Sequence, residues 1–157
     1  MIESAREIEL PAGTRSRRPE SLSSGWGYCG TVDAIDFQTN GDAILRGYRL
    51  WGVTSGSTTF QVTIGLYRGS STIAEKTGSY NTRSTGKTFE VQFLQEISIR
   101  AGLLYSATAK ITTSASSFAH TLTACQELHV LASSKDSNSS GVGSGQIPAL
   151  IFRFLRC

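Results

Sequence analysis

Nothing in this 157-residue chain is apolar for long enough to cross a bilayer as a helix, which takes about 20 consecutive residues. Its first ten residues, MIESAREIEL, are charged and contain no secretory apolar core. Cysteine is scarce: Cys29, Cys125 and Cys157 make an odd set without metal-type spacing. An extracellular disulfide framework is therefore not expected, and a reducing, cytoplasmic setting is. The formal net charge is only +3. Within residues 1–20, Arg6, Arg15, Arg17 and Arg18 are balanced by Glu3, Glu7, Glu9 and Glu20, so the excess is spread thinly over residues 21–157. No basic stripe with interleaved aromatics forms, so neither nucleic acid nor a membrane is expected as partner.

Catalytic and metal signatures are equally sparse. Gly86-Lys87-Thr88 resembles the end of a phosphate loop, but Asn81 stands where that pattern needs Gly. The residues that follow, Phe89-Glu90-Val91-Gln92-Phe93, alternate like a strand, whereas phosphate binding requires a helix N-terminus there. His120, Cys125 and His129 are ligand types, yet in an extended chain His120 faces away from the other two. No G-x-S-x-G elbow exists; Gly141-Val142-Gly143-Ser144-Gly145 has the wrong spacing. Asp33 and Asp36 fall on opposite strand faces and make a poor carboxylate pair. The expectation is no enzyme, no metal and no cofactor.

What the chain does contain is alternation with a period of two, the mark of half-buried strands. Phe60, Val62, Ile64 and Leu66 share a face; Phe89, Val91 and Phe93 repeat the pattern, and Ile97 with Ile99 does so again. Leu103, Tyr105, Ala107, Ala109 and Ile111 line another strand. Asp33–Phe37, Ile44–Trp51, Ile73–Glu75, Thr121–Cys125, Leu128–Ala132 and Ala149–Phe154 are further candidates. Ile44–Trp51 has apolar residues on both parities, so its buried face is not assignable from the pattern. Turn signals at Asn40-Gly41-Asp42, Ser55-Gly56-Ser57, Arg68-Gly69-Ser70, Ser84-Thr85-Gly86 and Ala101-Gly102 separate these segments. The fold class is all-β: an antiparallel two-sheet β-sandwich, jelly-roll-like, with roughly ten short strands. Residues 1–20 read as a leader or linker with a helical turn near Ile2–Leu10, and residues 21–157 as the domain.

Three passages make the pattern more specific. The chain closes on Gly145-Gln146-Ile147-Pro148-Ala149-Leu150-Ile151-Phe152 after a polar Ser/Asn/Gly run. It opens its β region with Gly25-Trp26-Gly27-Tyr28-Cys29-Gly30 leading into Asp33-Ala34-Ile35-Asp36-Phe37, and continues with Leu45-Arg46-Gly47-Tyr48-Arg49-Leu50-Trp51-Gly52. This ordered set resembles the PHR domain, the module shared by Pam, Highwire and BTB-containing ubiquitin-ligase adaptors, across roughly Ser21–Phe154. Ser114–Ala124 lacks the glycines usual in that family before the strand ending at Cys125, and no Arg-Phe pair precedes the first strand, so the chain reads as a diverged member.

The resemblance implies a protein-interaction module that recognises a substrate or partner for a ubiquitin-ligase system. The chemistry would then be carried by other domains or subunits. A carbohydrate-binding jelly-roll module and a structural domain without a ligand are the alternatives. Partner contact is expected at the tip of the polar loop Lys135–Gly145, around Asn138 and Ser139. Arg46, Tyr48 and Arg49 are expected to contribute where they are exposed and near it. The cysteines are expected to be reduced: native alkylation followed by mass spectrometry should label Cys157 readily, and Cys29 and Cys125 only after denaturation. A Cys29–Cys125 disulfide in freshly purified protein would contradict the reducing setting.

Overall fold

Alternation builds the sheets directly. In a computed structural model that describes residues 6–11, 25–27, 32–53, 56–83, 88–112, 116–118, 128–135, 147 and 149–154, every regular element is a strand. These are β1 (Arg6–Pro11), β2 (Gly25–Gly27), β3 (Val32–Thr39), β4 (Ala43–Trp51), β5 (Ser57–Arg68), β6 (Ser71–Arg83), β7 (Thr88–Ile99), β8 (Tyr105–Ile111), β9 (Ser116–Phe118), β10 (Leu128–Ala132) and β11 (Ala149–Phe154). One sheet runs β1-β11-β4-β7 and the other β10-β3-β8-β5-β6; β2 and β9 form a small ribbon. All described pairings are antiparallel. The architecture is the antiparallel β-sandwich expected from the sequence.

The core lies between the two sheets. Phe60, Val62, Ile64 and Leu66 of β5, Ala107, Ala109 and Ile111 of β8, and Leu45, Tyr48 and Leu50 of β4 are all buried there. Phe37 of β3 stacks on Tyr105 of β8 at 5.7 Å and meets Phe152 of β11 edge-on at 6.0 Å, joining the sheets. Three of the sequence turns carry glycines with positive φ: Gly56, Gly69 and Gly102. At Gly102 the left-handed backbone (φ 76°) lets its N–H donate to Thr39 O at 3.0 Å, while Ala101 N–H donates to Asp42 Oδ1 at 2.9 Å. The β7–β8 turn is thereby tied to the β3–β4 turn.

The two-parity pattern of Ile44–Trp51 has a physical cause. The register of β4 slips between Leu45 and Gly47 against β7, and β11 slips opposite the same place, between Ile151 and Phe152. Ala43 and Leu45 point into the core before the slip, Tyr48 and Leu50 after it. Gly47 makes this possible: a Cβ there would lie 2.1 Å from Val91 O and 2.7 Å from the Gln92 Cα, both backbone atoms. Tyr48, on the inward face, donates its hydroxyl proton across the sandwich to Gly65 O of β5.

Three differences from the sequence reading follow. Arg6–Pro11 is a strand, not a helical turn, and it pairs with β11 from Arg6↔Phe154 to Pro11↔Ala149. Glu7-Ile8-Glu9-Leu10 alternates with period two, which suits an edge strand better than a helix. Ile73–Glu75 is one part of a 13-residue strand, β6, most of which is too polar to show a buried face. The separate patterns at Phe89–Phe93 and Ile97–Ile99 belong to a single 12-residue strand, β7.

Gly47→Ala should destabilise the protein by roughly 3 kcal/mol in chemical denaturation, the upper end of overpacking costs, because its obstacle is backbone. Tyr48→Phe should cost about 1–3 kcal/mol by leaving the Gly65 carbonyl without this donor. Burial holds the Tyr48 hydroxyl well above its ordinary value of 10.0, with Tyr67 adding to the shift. The folded state therefore keeps this proton more tightly than the unfolded one. The resulting stability is intact below pH 10 and is lost as pH rises beyond it. Denaturation at pH 8 and pH 11 should show a smaller alkaline loss in Tyr48→Phe than in the parent chain; an equal loss would separate Tyr48 from the alkaline limb.

Candidate functional site

The slip in β4 places Arg46 and Arg49 on the outer face of the four-stranded sheet. Arg49 stands directly opposite Glu90 of β7; its Nη2 lies 3.8 Å from Glu90 Oε2, and its Nη1 donates to Thr88 Oγ1 at 3.4 Å. Arg46 sits within the slip and reaches Glu96 Oε1 at 4.0 Å. Both side chains are about 30% exposed and engaged in these contacts.

Tyr48 corrects one expectation. Its contribution to a partner surface required exposure, and its exposure is 0%. Its hydroxyl is committed to Gly65 O, and its ring meets Phe93 edge-on at 5.4 Å. It is a core residue, because the slip that turns Arg46 and Arg49 outward turns Tyr48 inward. Asn138 and Ser139 lie outside the described residues, as do Cys29, Cys125, Cys157 and His120. Ile147, at the end of the same polar loop, is buried at 3%. His129 lies on β10 opposite Gln38.

Two concave regions stand out that sequence reasoning did not single out. The first, of about 500 Å³, lies on the outer face of the five-stranded sheet and is lined by Val32, Thr63, Tyr67, Glu75, Thr108, Lys110 and Lys135. Tyr67 shares a face of β5 with Gly65, two residues before it, and its ring lies back over that glycine, where a Cβ would lie 2.8 Å from the ring. Tyr67 donates to Glu75 Oε2 at 3.3 Å, and Lys135 Nζ sits 5.2 Å from the ring centroid. Burial, then the neighbouring Glu75 charge and hydrogen bond, raise the Tyr67 hydroxyl above its ordinary value, against a lowering bond to Thr108.

The second is a groove of about 490 Å³ on the open side of the sandwich, lined by Ile73, Ala74, Glu75, Phe93, Leu94, Gln95, Glu96, Ile97 and Ser98. It lies between β6 and β7, each the outermost strand of its sheet among the described residues. At one end these strands are held together by Tyr80 and Phe89, 5.9 Å apart, with Phe60 6.0 Å from Phe89. At the other end both strands bulge. Ile73 is the extra residue of β6 where Leu66↔Ala74 gives way to Tyr67↔Thr72. On β7, Phe93–Glu96 loop out between Gln92, paired with Gly47, and Ile97, paired with Leu45. Phe93 turns inward, whereas Leu94 is 87% exposed and Ile73 42% exposed. The sequence did hold a signal: Leu94 shares its parity with the outward residues Glu90, Gln92, Glu96 and Ser98, an apolar side chain on a polar face.

Fold and surface together define an antiparallel β-sandwich with bulged edge strands and two clefts among the described residues. The family model of the PHR domain matches residues 17–153, and the chain belongs to that family. It is similar to human BTB/POZ domain-containing protein 6, with 29% identity over 136 residues, covering 83% of this chain and 25% of the relative. Mouse BTB/POZ domain-containing protein 3 gives 29% identity, 83% of this chain and 26% of the relative. Zebrafish BTB/POZ domain-containing protein 6-B gives 27%, 83% and 28%. The chain thus spans about a quarter of the length of the curated relatives it matches. The resemblance read from the sequence is a family membership.

A double-mutant cycle on Arg49 and Glu90, read by thermal denaturation, should return a coupling below about 1 kcal/mol, as for other solvent-accessible ion pairs. A larger coupling would make the pair a structural clamp and not a surface available to partners.

Proposed function

We propose that this PHR domain is a protein-recognition module that binds a substrate or partner of a ubiquitin-ligase system in the cytoplasm, without catalytic chemistry of its own. The observation that carries the reading is the PHR match over residues 17–153, which takes in all the described strands of both sheets except β1 and the end of β11. Those relatives are BTB/POZ domain-containing proteins, in keeping with a module that acts as part of a larger assembly. A sandwich scaffold carrying polar connecting segments, such as the Ser/Asn/Gly-rich sequence Lys135–Gly145, is the usual way such modules vary specificity without disturbing a core. On this reading the partly exposed Arg46 and Arg49 contribute to the contact surface, and Asn138 and Ser139 mark the loop tip.

The carbohydrate reading has one feature in its favour, the cleft lined by Tyr67, Glu75 and threonine hydroxyls. Against it, Lys135 lies over the Tyr67 ring, on a face a sugar would need for stacking. A pulldown from cytoplasmic extract run beside a glycan array separates the two: protein enrichment without saturable glycan binding supports recognition of protein. For the ubiquitin-ligase link, the chain added in excess to extract with ubiquitin and ATP should lower ubiquitination of a captured partner. Replacing Asn138 and Ser139 with arginine should weaken that partner's binding at least tenfold with an unchanged melting temperature. Undiminished affinity would remove the loop tip from the site.

A further inference from the structure

We infer that the groove between β6 and β7 is a docking site for a short peptide segment that inserts an apolar side chain flanked by lysine or arginine. This deepens the recognition role proposed above and rests on it. Edge strands ordinarily invite a further strand. Here both edges are interrupted at the same place: Ile73 bulges from β6 and Phe93–Glu96 bulge from β7, so neither edge offers a continuous ladder along the groove. Bulges re-aim side chains, and these aim Ile73 and Leu94 at one cavity of about 490 Å³. That volume is within the range of ligand pockets, about 300–1,000 Å³. Recognition is therefore by side-chain insertion, with Leu94, Ile73 and Ile97 as walls.

Charge selects the occupant. The chain carries +3 overall, yet the charged side chains lining this groove are both acidic, Glu75 and Glu96. Glu75 accepts a bond from Tyr67 and Glu96 faces Arg46 at 4.0 Å; a carboxylate, with two oxygens, can accept from more than one donor. The same charges disfavour a second copy of this chain. A two-fold dimer through the groove would set Glu75 and Glu96 of one copy near those of the other.

The test uses the full 157-residue chain and three fluorescein-labelled synthetic peptides. The first alternates arginine and leucine between Gly-Ser caps; the second has glutamate for arginine, the third serine for leucine. Polarisation titrations should show the first binding at least tenfold tighter than either control. Leu94→Ser should remove that binding with an unchanged melting temperature, since Leu94 is 87% exposed, and Glu96→Lys should turn preference toward the acidic peptide. Equal binding of the arginine and glutamate peptides, or affinity unaffected by Leu94→Ser, overturns the proposal. So does sedimentation showing a dimer that Leu94→Ser dissolves, which assigns the groove to a second copy. If a mapped protein partner is still captured by Leu94→Ser, the groove is dropped and the recognition role stands. If the peptide binds as expected but no protein is enriched from extract, the recognition role is dropped and the peptide site stands.

Discussion

The hydroxyl of Tyr48 leaves one sheet and ends on the carbonyl of Gly65 in the other, and much of the molecule follows from how it gets there. Tyr48 faces the core only because β4 slips register beside it, and the slip fits only because Gly47 has no side chain to strike Val91 and Gln92. The same slip sends Arg46 and Arg49 to the outer surface, and leaves β7 with four residues opposite Arg46 alone. A buried hydrogen bond, a close backbone approach and a bulge on an edge strand are one structural event. A polar group this deep is costly unless paired, so the event specifies how the sheets are placed as well as stabilising them.

Bulges recur where the surface is concave. On β6 the shift opposite Leu66/Tyr67 leaves Ile73 as the extra residue, while the Tyr67 ring of the regular β5 lies over Gly65. On β7 the excursion of Phe93–Glu96 sends Phe93 inward against Tyr48 and Leu94 outward into solvent. A regular sandwich would bury both edges' apolar residues or space them along flat strands. These irregularities instead gather them at the open end, while Tyr80 and Phe89 keep the other end closed.

Membership of the PHR family sets the biological frame, and the coverage of about a quarter of the BTB/POZ domain-containing relatives sets its scale. The described residues of the domain present three distinct surfaces. Its outer faces are correspondingly varied: an arginine–glutamate face on one sheet, a tyrosine–lysine–glutamate cleft on the other, and an acidic-rimmed apolar groove between their edges.

Much of the fold was legible from residues alone. Period-two alternation identifies β5, β8 and the halves of β7, and glycine-bearing turns mark where strands end, because side-chain direction and backbone φ are local properties. The ordered passages from Gly25 to Phe152 also carry the family. Local pattern determined neither the pairing of Arg6–Pro11 with β11 nor the union of β7 across its bulge, since both depend on which partner strand lies alongside. Tyr48 shows the limit most clearly. In sequence it stands between Arg46 and Arg49 in a stretch with apolar residues on both parities; only the slip of β4 against β7 and β11 decides that it is core and that Leu94 is not. Register is a relation between strands, set by packing across sequence separations of more than forty residues, as in Tyr48↔Val91, and no single strand contains it.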